Sequence, residues 1–294
     1  MTSQSVLWWR HRIALITGPL VAAALAGATY QGVATAIERR ALPHPGQLVE
    51  VGGHQLHLHC TGEGTPTVVL EAPAAAPSIA WAPVQSRVAQ FTRVCSYDRA
   101  SLGWSESDAS VYNPGSVPDQ LRALLTASNT RGPFVLVGQG LGAALVQLSA
   151  SQFAGQVVGL VLIDAPAPGV SIPLGVAEWW RQRPALWPWM ARFGLFRLTG
   201  GLARFADGLE RSDGSAVRAF FNRPDHLKRA ADELAGWERT ALLATQAPRA
   251  ADLSEIRVEV AGATRLGLLT DPAAVERTVS AIREAIRRAR RDRR

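Results

Sequence analysis

Phe134-Val-Leu-Val-Gly138-Gln139-Gly140-Leu141-Gly142 is the stretch that decides the fold. Its apolar start, Phe134 to Val137, reads as a strand buried on both faces. Glycines follow at alternate positions, and Ala143 to Gln152 then carries a helical pattern. A strand that turns sharply into a helix brings two backbones close together, which Gly138 and Gly142 allow. Gly140, at the centre of the turn, accepts a backbone that would strain any other residue.

The same alternation extends on both sides. Leu48 to Val51 and Gln55 to Cys60 read as a hairpin with Gly52-Gly53 at its turn. Thr67 to Glu71, Arg93 to Tyr97 and Val157 to Ile163 read as short apolar strands, and Pro118 to Ala127 has helical spacing. Continuous apolar strands alternating with helices predict a mostly parallel sheet covered on both faces. From about Pro166 to Ala250 the rhythm breaks into helical patterns and prolines. Trp179, Trp180, Trp187 and Trp189 crowd together there, as in a cap inserted over the sheet. Arg257 to Val260 reads as the last strand and Pro272 to Arg288 as the last helix.

Composition sets the outer bounds. A chain of 294 residues with 47% hydrophobic content supports one large core and excludes a disordered protein. The net charge of +7 rests almost wholly on arginine, Lys228 being the only lysine. Several of those arginines close the C-terminal helix, a solvated end that suits the helix dipole. No aromatic residues interleave them, so no nucleic-acid partner is expected.

Residues Ile13 to Ile37 carry no charge and follow Trp8-Trp9, Arg10 and Arg12. About 20 apolar residues span a bilayer as a helix, and indoles favour its interface. The run reads as a retained anchor. A cleaved signal peptide ending at Ala26-Gly27-Ala28 is the alternative. The expected organisation is a tail over 1–12, an anchor over 13–37, a linker over 38–48 and a folded domain over 49–294. The cap falls at about 166–250, and the domain is expected outside the cytoplasm, with the membrane as partner.

Five stretches, taken with the glycine turn, resemble the α/β-hydrolase family, and specifically its bacterial membrane-anchored members. They are Val49-Glu-Val-Gly-Gly-His-Gln-Leu-His-Leu-His-Cys-Thr-Gly-Glu-Gly64, Val68-Val-Leu-Glu-Ala72, Val94-Cys-Ser-Tyr-Asp-Arg99, Gly103-Trp-Ser105 and Gly159-Leu-Val-Leu-Ile-Asp-Ala165. The resemblance implies an α/β-hydrolase sheet with a helical cap. It makes the glycine turn the nucleophile elbow, G-x-S-x-G, whose serine attacks an acyl carbon with help from a histidine and an acid. Active relatives carry His-Ser where this chain has Gln139-Gly140. The family histidine belongs in the turn before the last helix, where Arg265 stands in Gly262-Ala-Thr-Arg265. Arginine stays protonated and cannot act as a base.

The acid-bearing strand is expected to be missing, because the chain after Ala250 holds one strand and one helix, whereas a βαβ unit needs ~30 residues. The loop that supplies oxyanion donors reads Ala72-Pro73-Ala74-Ala75-Ala76-Pro77, and each proline removes an N–H. Leu141 could still donate. Asp164, at the end of a strand, is the one stray acid candidate, and Ser101 and Ser105 are the serines that could approach the site. Cys60 and Cys95 fall on strands that the fold makes neighbours, so a disulfide is possible, and two buried thiols are the alternative. His57 and His59 share one strand face but lack a third ligand, so neither a metal nor a cofactor is expected.

The functional expectation is a scaffold without the triad, binding an apolar small molecule or lipid under the cap. The alternatives are an enzyme of altered chemistry, such as a lyase or cyclase, or a residual hydrolase. A third is a dinucleotide-binding protein, because Gly138-x-Gly140-x-x-Ala143 also fits G-x-G-x-x-G/A, with Asp164 as the ribose-binding acid.

Overall fold

The computed structural model describes residues 3–108, 110–153, 155–166, 169, 183–200, 202, 206–248, 253–259 and 271–291. Among them, seven strands form one sheet in the order β1-β2-β4-β3-β5-β6-β7. β1 (Gln47–Val51) and β2 (His54–Thr61) form the expected hairpin, and β2 also runs antiparallel to β4 (Val94–Tyr97). From β4 onward the sheet is parallel, through β3 (Thr67–Glu71), β5 (Phe134–Gln139), β6 (Val157–Ile163) and β7 (Glu255–Val258). β3, β4 and β5 are buried at every position, as their unbroken apolar sequences require.

Helices cover both faces. α2 (Ala82–Val88) and the last helix, here α10 (Pro272–Arg291), pack on one side, where Val84, Val88, Val279, Ile282 and Ile286 meet Val68, Val135 and Val161. α3 (Val117–Ala127) and α4 (Leu141–Gln152) cover the other, where Leu121, Leu124 and Val146 meet Leu58, Val69 and Leu136. Among the described residues, the cap holds α5 (Trp187–Arg192), α6 (Leu195–Thr199), α7 (Arg211–Phe220), α8 (Pro224–Ala235) and α9 (Trp237–Gln246).

Two expectations need correction. β7 pairs directly with β6, so the strand beside β6 is present. Among the described residues no strand lies outside β7. Second, α1 runs from Ser3 to Ala41, beyond both ends of the uncharged run. No residue between Ile37 and Ala41 breaks a helix, and the chain leaves helical geometry only before Pro43 and Pro45.

The upper part of α1 lies against the cap. A Cβ on Gly27 would stand 2.5 Å from the carbonyl oxygen of Phe193, so only glycine permits that approach. Gln31 Nε2 donates to the Asn222 carbonyl at 2.6 Å. Arg197 donates to Gln31 Oε1 at 2.7 Å and forks onto the Glu38 carboxylate, 2.7 Å from Oε2.

Candidate active site and its closure

β5 turns sharply into α4 at Gly140. Gly140 sits at φ 54° and ψ −118°, immediately before α4. A Cβ on Gly138 would stand 2.2 Å from the Gly142 carbonyl oxygen, and one on Gly142 would stand 2.5 Å from that of Glu71. Both glycines are therefore required by strand–helix contact. Gly140 differs, because a Cβ there would meet only the Trp237 ring at 3.8 Å and Pro73 at 3.9 Å. The centre of the turn carries no side chain, and the Trp237 ring of α9 lies over it. Gly140 and Gln139 are buried, and Trp237 is 3% exposed.

This closure bears on the dinucleotide pattern as well. A pyrophosphate needs an open helix N-terminus with available N–H groups. Here Gly140 N–H donates to the Ile163 carbonyl at 2.9 Å and Ala143 N–H donates back to the Gly140 carbonyl at 3.0 Å, with Leu141 fully buried. Asp164, half-buried, follows Ile163 at the edge of this turn with φ 44°. Arg265 lies outside the described residues.

The loop after β3 is held by charges that sequence reasoning missed. Arg99 lies between two buried carboxylates. Its Nε and Nη2 donate to Glu233 of α8 at 2.7 and 2.9 Å, and Nη1 donates to Glu71 at 2.5 Å. The same guanidinium donates to the carbonyls of Ala72 and Pro73 at 2.9 and 3.0 Å. Glu233 accepts the Ala75 N–H at 2.8 Å, and Tyr97 donates its hydroxyl to Glu71. Burial pushes the Glu71 carboxyl above the usual range, against the pull of Arg99. The segment after β3 is thus bound to the cap, with the Ala75 N–H engaged by Glu233.

His226 completes this clamp. Gly103 N–H donates to its Nδ1 at 3.2 Å, and Nε2 faces the Ala75 carbonyl at 3.0 Å, so Nε2 carries the proton of a neutral ring. Burial lowers its pKa to about 4.

His57, expected as an ordinary strand histidine, is fully buried. Its Nδ1 lies 2.9 Å from Asp98 Oδ2, and its Nε2 donates to the Pro45 carbonyl. Burial opposes protonation, but Asp98 and the Pro45 carbonyl outweigh it and raise the pKa. Ser78 Oγ is 3.3 Å from the same Nδ1. A triad base uses one ring nitrogen for its acid and the other for the nucleophile. Here serine and acid share Nδ1, so the group braces the linker and is no relay. Burial works against ionisation of Asp98 too, yet His57 and the N–H groups of Ser78 and Trp104 keep its pKa low. Ser101 and Ser105 are structural as well: Ser105 Oγ donates to the Asp98 carbonyl at 2.6 Å, and Ser101 Oγ accepts from Asp108 N–H at 2.8 Å. His59 shares a face with His57, and among the described residues no third ligand joins them.

A cavity of about 690 Å³ lies beside this brace, away from the elbow. Its walls include Leu42 and Pro43 of the linker, His57 and His59 of β2, Gln85 of α2 and Ala216 of α7. Cys60 and Cys95, directly opposed on β2 and β4, form a disulfide with Cα atoms 4.0 Å apart.

Comparison with known proteins places this architecture. Residues 55–293 match the alpha/beta hydrolase family. An uncharacterized protein of Schizosaccharomyces pombe is 38% identical over 25% of this chain and 14% of its own, and YqjL, an uncharacterized protein of Bacillus subtilis, is 29% identical over 38% of this chain and 44% of its own. The chain thus matches less than half the length of either relative. Among solved structures, the Cif epoxide hydrolase of Acinetobacter nosocomialis superposes with a TM-score of 0.64 at 14% identity, covering 86% of this chain and 95% of its own. A thermophilic esterase of Thermogutta terrifontis gives 0.58 at 18%, covering 83% and 98%. A bacterial membrane phospholipase A gives 0.58 at 15%, covering 97% and 99%. At these identities the structures speak for the fold alone. The matched residues and the strand order together make this chain a member of the α/β-hydrolase family.

Proposed function

We propose that this protein is a membrane-anchored α/β-hydrolase-fold binding protein without serine-hydrolase chemistry. One observation carries the reading: the nucleophile's position is a glycine in elbow geometry, buried beneath Trp237. Loss of the nucleophile alone costs about 10⁶ in rate in a triad enzyme. The engaged Ala75 donor and Arg265 at the histidine position add to the case. A vacancy at one residue could be bypassed by a neighbour, but Ser78, Ser101 and Ser105 are all committed to structural bonds.

The binding site in this reading is the 690 Å³ cavity beside His57. Its size fits a small apolar molecule or a lipid chain. Leu42, Ile79 and Ala82 line it, and the Gln85 amide in its wall is already bonded to the His59 carbonyl at 3.0 Å. The apolar α1 serves as a single-pass anchor with the domain outside the cytoplasm.

The test is a panel of p-nitrophenyl esters given to the full chain and to the Gly140→Ser, Arg265→His double variant. Neither should exceed background. Turnover by the native chain that Asp164→Ala or Ser101→Ala abolishes would refute the reading. Robust turnover by the double variant would show that the acid and oxyanion donors survive.

A further inference from the structure

The cap displays an apolar surface that the elbow does not use. On α5, Trp187 and Ala191 point into the cap core while Trp189 is 60% exposed, and Phe193, which follows the helix, is 38% exposed. Leu186 precedes them at 45%, and Leu195 and Leu198 continue the surface on α6 at 40% and 72%. Spacings of three and four residues set Leu186, Trp189 and Phe193 on one face. Arg192 stacks on the Trp189 ring at 5.6 Å. Contiguous apolar side chains with an aromatic and an arginine at the rim suit a membrane interface better than water.

The height of this surface along α1 is fixed. Phe193 abuts Gly27, and a Cβ on Gly194 would lie 3.3 Å from the Tyr30 ring. Both contacts fall within the apolar length of α1, Thr17–Ala41, which is long enough to cross a bilayer. Arg197 holds Gln31, Thr35 and Glu38 further along the same helix.

We infer that the cap surface around Trp189, Phe193 and Leu195 enters the outer interface of the same bilayer that α1 crosses. α1 and the cap then form one membrane-seated unit, with the upper part of α1 a strut that fixes the depth of the cap. The occupant of the surface is lipid, because the element that bears it is held against the apolar length of the anchor. The inference rests on the anchor reading of α1.

Spin labels on single introduced cysteines in the full chain, reconstituted into phosphatidylcholine–phosphatidylglycerol nanodiscs, test it. Labels at Phe193→Cys and Leu195→Cys should collide several-fold more with oxygen, relative to an aqueous nickel chelate, than a label at Val111→Cys, which is 88% exposed on the body. A label at Leu20→Cys, 64% exposed on α1, reports the anchor itself. Leu20 in lipid with Phe193 and Leu195 in water overturns this inference and leaves the anchor standing. Leu20 in water overturns the anchor. Labels at 193 and 195 shielded from both reagents and dipolar-coupled to each other would assign the surface to a second copy of the chain and also overturn the inference.

Discussion

The Trp237 ring lies 3.8 Å from the point where a Cβ on Gly140 would stand. There is room for a Cβ but only a covered space beyond it. Gly140→Ser should therefore fold, at a cost of ~1–3 kcal/mol for placing a side chain at that positive φ. Denaturant unfolding in detergent checks the cost, and the variant should stay unreactive towards esters. A variant more stable than the native chain would mean that the elbow is relaxed away from this geometry.

Arg99 bridges two carboxylates that water does not reach. Arg99→Met leaves Glu71 and Glu233 buried without a cation, and breaking such a pair costs ~3–5 kcal/mol. The expected result is a large fall in the denaturation midpoint, or loss of folded protein. Arg99→Met combined with Glu71→Gln and Glu233→Gln should recover part of it. No recovery would place the loss in the contacts of Arg99 with the Ala72 and Pro73 carbonyls.

Cys60 and Cys95 close a loop with a sequence separation of 35 residues. A loop of that size gives ~2–4 kcal/mol by chain entropy. Replacing both by alanine should lower the melting temperature, and adding a thiol reductant to the native chain should reproduce much of that fall. The double variant should not respond to reductant.

His226 gives stability a defined pH dependence. Its pKa is lowered to about 4 when folded, against 6.5 for the ordinary group. Between these values the unfolded chain binds a proton that the folded chain does not, so stability is full above about 6.5 and falls as pH drops towards 4. The shift corresponds to ~3 kcal/mol. Denaturation of the native chain and of His226→Gln at pH 7 and pH 4.5 should show the smaller drop in the variant. His57 acts with the opposite sign: its raised pKa adds stability below the ordinary value that is lost as pH rises through the folded one.

The sheet was legible because its evidence is local. Phe134 to Val137 and Val161 to Ile163 could be little else than buried strands, and glycine at alternate positions after Val137 points to a tight strand–helix turn. The shared face of His57 and His59 follows from strand periodicity in the same way. The closure of the site was not legible, because Trp237 reaches Gly140 across a long separation in sequence. Arg99, Glu71 and Glu233 form a single charge cluster only after β3, β4 and α8 assemble. His57 looked like an exposed strand residue until the Pro45 linker folded over it. The last strand was given the wrong place in the sheet because sequence shows how many strands remain and not which neighbour each one takes.

The central claim concerns the glycine at the elbow. A fluorophosphonate probe applied to the native full chain in membranes, read by intact mass, tests it most directly. The account predicts an unchanged mass under conditions that label active serine hydrolases to completion. Stoichiometric addition of the phosphonyl group to any serine would contradict it.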